Sequence, residues 1–119
     1  NINEFNYLFG DFKDFSKTSK KVMLDNNFQI LLVTKGNKGL SLFIDQKELN
    51  IPAIIKQVHD VSGAGDTVIS TFTLCDCINL LPKESAYIAN IAASIVCEKP
   101  GVVPITKSLL IDKAVKYFE

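Results

Sequence analysis

The residues with the clearest chemical content are Asp60-Val61-Ser62-Gly63-Ala64-Gly65-Asp66-Thr67. They stand between a short apolar stretch and a long one, which predicts a strand end, a tight turn and a helix start. The first N–H groups of a helix have no carbonyl partner inside it, and the helix dipole adds partial positive charge there. Such a start binds a phosphate or stabilises charge on a phosphoryl group in transfer. Gly63 and Gly65 let the backbone approach an anion with no Cβ in the way. Asp66, a carboxylate beside that cradle, has the chemistry to take a proton from an attacking hydroxyl. The same residues also suit a ligand-free tight turn with an acidic first helical turn, and their spacing leaves both readings open.

These residues need a scaffold, and the rest of the chain alternates helical and strand patterns. Glu4, Phe5, Leu8 and Phe9 have helical spacing, with Gly10 as a stop. Residues 11–26 read as a second helix with Phe12, Phe15, Val22 and Met23 on its apolar face and its lysines outward, followed by a turn at Asn26-Asn27. Residues 28–34 form a continuous apolar run, the pattern of a strand buried on both faces. Gly36 and Gly39 punctuate a tight loop, in which Lys35 and Lys38 read as solvated. Leu40, Leu42 and Ile44 then alternate with Ser41 and Phe43, Asp45-Gln46-Lys47 turns, and residues 48–51 return, which predicts a hairpin. Residues 54–58 read as another short strand. Beyond the glycine turn, residues 66–81 read as a mostly apolar helix stopped at Pro82, which suits the first turn of the next helix, 83–97. Ala86, Ala89, Ala92 and Ala93 predict close packing against that helix. Pro100-Gly101 breaks the chain, and Thr106 suits the N-cap of a last helix through Phe118, with Leu109, Leu110, Ala114 and Phe118 inward. The pattern is one α/β unit over residues 1–119.

Composition narrows the function classes. Thirteen basic residues, all lysine, balance thirteen acidic ones, and 47% of the chain is hydrophobic, which argues against disorder and against a nucleic-acid partner. Nothing approaches eighteen consecutive apolar residues, so no helix is expected to span a membrane, and residues 1–6 lack the pattern of a signal peptide. Cys75, Cys77 and Cys97 are odd in number and their C-x-C pair lacks zinc-ligand spacing, so they read as buried structural thiols in a reducing compartment, the cytoplasm. His59, beside Asp60, reads as a surface or packing residue rather than half of a catalytic dyad.

The Asp60–Asp66 segment resembles the second signature, D-[TV]-x-G-A-G-D, of the ribokinase-like (PfkB) carbohydrate kinases. The resemblance runs along the whole chain. Asn1-Ile2-Asn3-Glu4 is similar to that family's N-x-x-E motif, and Thr34-Lys35-Gly36-Asn37-Lys38-Gly39 to its T-x-G-x-x-G nucleotide loop. Ala89-Asn90-Ile91-Ala92-Ala93 followed by Lys99-Pro100-Gly101 looks like its adenine-side helix and loop. Four motifs in order are far more specific than a lone glycine motif. Val61, where most sugar kinases carry threonine, and Thr67-Val68, where many carry Ala-Phe, resemble the heptose-phosphate kinase branch that serves ADP-heptose and lipopolysaccharide synthesis, as do residues 89–96 and 101–106.

This resemblance implies the C-terminal, nucleotide-binding part of a layered, Rossmann-like ribokinase fold, and a role for each matching residue. Asp66 would be the general base on the sugar hydroxyl, with the amides of Gly63, Ala64, Gly65 and Asp66 as the anion hole. Thr34, Gly36 and Gly39 would contact ATP, with Asn90 and Gly101 on its adenine side. Asn1 and Glu4 would help place Mg²⁺. Asp60 and Ser62, with carbonyls near Val96, Lys99 and Gly101, match the family's monovalent-cation site, which takes K⁺. The partners implied are ATP and a small sugar phosphate, with a homo-oligomer expected. The family's substrate-side strands, lid and first glycine signature are not matched in this chain, so the expectation is a piece of a longer product holding the ATP half, inactive alone. The alternatives are another sugar kinase of the family, of ribokinase or fructokinase type, a nucleotide-binding module without catalysis, and an assembly module pairing through a sheet edge.

Overall fold

The computed structural model describes residues 1–10, 13–54 and 59–119. It divides into two compact units, Asn1–Pro52 and Ala53–Glu119.

The first unit holds helices α1 (Ile2–Phe9) and α2 (Phe15–Asn26) and strands β1 (Ile30–Thr34), β2 (Leu40–Ile44) and β3 (Lys47–Ile51). Asn1 caps α1, its Oδ1 accepting from the amides of Asn3 and Glu4 at 2.9 and 3.1 Å. Asp14 caps α2 by accepting from Lys17 N–H at 3.0 Å, so this helix begins four residues later than its sequence pattern suggests. Asp11 and Phe12 lie outside the described residues. Asn27, in the left-handed region at φ 55°, ends α2.

The strands form an antiparallel sheet in the order β1-β2-β3. The expected hairpin is present, with a two-residue turn at Asp45 and Gln46, both at positive φ, and Lys47 already paired with Ile44. The burial of the first two strands is the reverse of expectation. The apolar run of β1 is only half-buried apart from Val33, and Phe28 before it is 47% exposed. The alternating β2 is buried from Leu40 through Phe43. The reason is position: β2 has a strand on each side, whereas β1 pairs with β2 alone among the described residues. Ser41 occurs inside a buried strand because its hydroxyl finds Asn50 and Glu48 on β3. Phe5, Val22 and Val33 form a core with Ile2, Phe15 and Leu31 against it. Phe15 meets Phe5 and Phe43 edge-on, at 5.5 and 5.6 Å between ring centres.

The second unit is built on helices α3 (Ala64–Cys77), α4 (Pro82–Cys97) and α5 (Lys107–Phe118). Of the strand expected at 54–58, residues 55–58 lie outside the described residues. Helix α3 starts and stops before its expected bounds. It stops because Asn79 takes a left-handed conformation and Leu80 N–H reaches back to the Cys75 carbonyl at 3.1 Å, a Schellman ending. Pro82 opens α4, and Glu84 accepts from Leu81 N–H at 3.1 Å. Helix α4 is the core: Ala86, Ala89, Ile91 and Ala92 are fully buried, and the alanines let α3 pack close, as their spacing predicts. Thr106 caps α5, accepting from Leu109 N–H at 3.3 Å. Leu109, Leu110 and Ala114 are half-buried, but Phe118 is 62% exposed and touches Tyr87 at its ring edge, while Tyr117 turns further inward. Cys75 and Cys97 are buried thiols, but Cys77 is exposed, because two residues of helix carry it round from Cys75 to the far side of α3.

Candidate functional site

The glycine turn is an anion-ready helix start. Gly63 is the N-cap of α3 at φ 77°, a backbone that L side chains rarely adopt. The first helical hydrogen bond runs from Thr67 N–H to the Gly63 carbonyl at 2.9 Å. Ala64 N–H is engaged with the Val61 carbonyl at 3.2 Å, which closes the turn. The amides of Gly65 and Asp66 are in the first helical turn and have no intrahelical acceptor. A Cβ built on Gly65 meets no atom within 4 Å, so nothing in the fold requires glycine there. A helical glycine costs about 1 kcal/mol against alanine. Close approach of an anion to the two amides would be a reason to keep it. Asp66 is exposed on the same turn.

Asp60 ties this turn to the loop after α4. Its Oδ1 accepts from Ser62 N–H at 2.9 Å and its Oδ2 from Gly101 N–H at 3.1 Å. Ser62, through hydroxyl and amide, and the Gly101 amide hold the Asp60 carboxyl below the usual carboxylate range. The neighbouring His59 N–H donates to the Cys97 carbonyl at 2.8 Å while its side chain lies exposed, which fits a surface residue. Lys99 N–H donates to the Val96 carbonyl at 3.2 Å. The structure therefore brings Asp60, Ser62 and Gly101 together around the turns at 60–63 and 96–101. Burial pushes the Cys97 thiol up, and the charges of Asp60 and Glu98 add to this.

In the first unit, Thr34 ends β1, and the loop after it closes on itself. Lys35 N–H donates to the Gly39 carbonyl at 2.7 Å, Lys38 N–H to the Lys35 carbonyl at 3.2 Å, and Gly39 N–H to the Gly36 carbonyl at 3.0 Å. Lys35 is not a solvated loop lysine. Its Nζ donates to Asn50 Oδ1 at 2.7 Å and lies 5.7 Å from the Phe15 ring centre. Asn1 and Glu4 form a capping box, which gives both residues a structural task in α1.

Asn90 is buried on α4, 6% exposed. A cleft of about 510 Å³ opens in the second unit between α3, α4 and the segment from Val103 to Leu110. Thr67, Ser70 and Thr71 bring hydroxyls to its wall, one residue on from Asp66. Asn90 does not line it. Sequence reasoning passed over these hydroxyls, and their signal was Thr67, Ser70 and Thr71 at helical spacing in a mostly apolar helix. Ser70 Oγ donates to the Asp66 carbonyl at 2.8 Å. Among the described residues no cluster of three or more His, Cys, Asp or Glu side chains could hold a metal ion, and no helix is long and apolar enough to cross a membrane.

The profile of the pfkB family carbohydrate kinases matches residues 1–108. The bifunctional protein HldE of Shewanella piezotolerans is 35% identical over 116 residues, 94% of this chain and 24% of that protein. HldE of Methylobacillus flagellatus is 45% identical over 80 residues, 67% of this chain and 16% of that protein. Ribokinase of Arabidopsis thaliana, solved with ribose and ATP, superposes with a TM-score of 0.79 at 27% identity, over 93% of this chain and 38% of that one. The chain thus spans about a quarter of the curated relative that it matches over most of its own length. With its α/β elements, its glycine turns in order and a profile match over most of its length, this chain belongs to the pfkB family of carbohydrate kinases.

Proposed function

We propose that this chain is the nucleotide-holding, base-carrying part of a kinase that transfers the γ-phosphoryl group of ATP to a sugar hydroxyl, with heptose 7-phosphate as acceptor and the 1,7-bisphosphate as product. One observation carries the reading: Gly63 caps α3, Gly65 faces open space, and Asp66 stands on the same first turn. The acceptor rests on Val61 and Thr67-Val68 and on identity of 35–45% to proteins named HldE. ATP is supported by the similar ribokinase that carries it.

In this mechanism Asp66 takes the proton of the attacking hydroxyl as its oxygen closes on the γ-phosphorus. The amides of Gly65 and Asp66, with the dipole of α3, hold the phosphoryl oxygens while charge spreads over them. Phosphoryl transfer asks for positioning and charge neutralisation more than for covalent help. On the family likeness, Thr34, Gly36 and Gly39 would be nucleotide-contacting residues of the first unit, and Asn90 and Gly101 adenine-side residues of the second. Mg²⁺ neutralises phosphate charge when bound. Glu4 fits it as an exposed carboxylate and would hold the ion's water shell, whereas Asn1 Oδ1 is already occupied as a cap. Asp60 fits K⁺, since an ionised carboxylate bonded at both oxygens keeps further lone pairs free beside Ser62 and Gly101. Ile69 and Leu74, exposed on α3 at 61 and 69%, and Ile78 just after it at 71%, suit a homo-oligomer or the remainder of the longer cytoplasmic kinase.

Asp66→Asn tests the reading in a kinase that joins this chain to the sugar-binding part its relatives carry. Shape and hydrogen bonding survive and the base is lost, so kcat should fall by at least about a hundredfold with ATP affinity nearly unchanged. Near-normal kcat would remove Asp66 as the base. ATP binding with no transfer even before the substitution would leave a nucleotide-binding module.

A further inference from the structure

Lys35 joins the 34–39 loop to the far strand of its sheet. Its backbone N–H closes the loop onto Gly39, and its Nζ reaches Asn50 Oδ1 at 2.7 Å, on β3. Asn50 stands opposite Ser41 in the strand register. The buried Ser41 hydroxyl lies 2.7 Å from that same Oδ1 and 3.0 Å from Glu48 Oε1, and its single proton serves one acceptor at a time. The Lys35 ammonium also lies against the Phe15 ring. To reach a phosphate it would have to leave Asn50 and the ring together. Gly36 and Gly39 both have positive φ and would otherwise leave this loop many conformations. A loop held in its bound shape binds more tightly because less freedom is lost on binding.

We infer that Lys35 is a positioning residue, not a phosphate ligand: its tether to Asn50 pre-organises the 34–39 loop for the nucleotide. This rests on the reading of that loop as a nucleotide site. The tether itself does not depend on that reading, and it predicts slow amide exchange at Lys35, Lys38 and Gly39, the bonded amides of the loop, with no nucleotide present.

The test compares the chain with Lys35→Met, Lys35→Arg, Asn50→Leu and the Lys35→Met/Asn50→Leu double variant. Each is measured for ATP binding, adenosine binding and hydrogen exchange of the loop, with thermal melts to confirm folding. Lys35→Met and Asn50→Leu should each weaken ATP and adenosine alike, by about three- to tenfold, as loss of one ordinary hydrogen bond implies. The double variant should be no worse than either single one. Loop exchange should quicken in all three, and Lys35→Arg should restore it. A loss confined to ATP, or losses that add in the double variant, would make Lys35 a phosphate ligand and overturn the inference. Unchanged loop exchange would overturn it as well. If the unsubstituted chain binds neither ATP nor adenosine, the nucleotide reading fails while the exchange measurement still decides the tether. Should Lys35→Met not fold, Asn50→Leu against Asn50→Asp, which keeps the acceptor, decides it by the same exchange rates.

Discussion

The turn at 34–39 uses its backbone hydrogen bonds on itself, whereas the turn at 60–66 runs into a helix start where the amides of Gly65 and Asp66 have no intrahelical acceptor. The first is closed at Lys35 and Gly39 and strutted to β3 by a side chain. The second is closed by Ala64 on the Val61 carbonyl and by Ser62 on the Asp60 carboxylate before the helix begins. Both are glycine turns after an apolar run, and in sequence they look alike. A turn satisfied from within offers a fixed shape. A turn that opens into a helix offers unsatisfied donors and a dipole. Shape suits holding a ligand, and directed charge suits stabilising a reaction.

Gly65→Ala breaks the comparison most sharply. The added methyl meets no atom of the fold, so the chain should become more stable, by up to about 1 kcal/mol in a thermal melt. Phosphoryl transfer by the complete kinase should nevertheless fall by about a hundredfold, because the methyl displaces the γ-phosphate from the amides. Unchanged transfer would mean that no anion sits there. Gly63→Ala should act in the opposite way on stability. At φ 77° an alanine is strained, and the variant should lose about 1–2 kcal/mol, read from denaturant midpoints. A melt as stable as the parent's would show that the α3 cap can shift.

The smallest effect expected concerns Asp60. Its carboxyl is held below the usual value, so its contribution to stability is fully present above the ordinary aspartate range and is lost as pH falls through its own lower value. The link to Gly101 should therefore outlast mild acid. In an NMR titration, the Gly101 amide should keep its bonded shift down through the range where exposed aspartates protonate, and Asp60→Asn should abolish the titration. A Gly101 amide that titrates together with the exposed aspartates would break the assignment.

Local pattern carried much of this architecture. Pro82, Thr106 and the alanine spacing of α4 specify a helix start, a cap and close packing through nearest-neighbour sterics and hydrogen bonds, so those elements were legible; the stop at Asn79 was not. Strand burial was not. The apolar run at 28–34 and the alternation at 40–44 suggested the reverse of the burial found, because burial depends on which strand has neighbours on both sides, and that is decided by pairing between distant residues. Phe118 and Cys77 were misjudged for a related reason: helical spacing names a face, but the partner decides which face is covered.

The chemistry divides along the same line. The run from Asp60 to Thr67 is contiguous, so its glycines, helix start and carboxylate could be read without a fold. The tie from Asp60 to Gly101 spans forty-one residues, and the strut from Lys35 to Asn50 spans fifteen. No local pattern contains either. What the sequence determined by itself is what lies within a few residues along the chain: the helix that presents its amides, the carboxylate beside them, the caps. Only the tertiary structure decided which lysine is tethered rather than solvated and which carboxylate holds two loops together, because hydrogen bonds between segments exist only once the chain has brought those segments within 3 Å of each other.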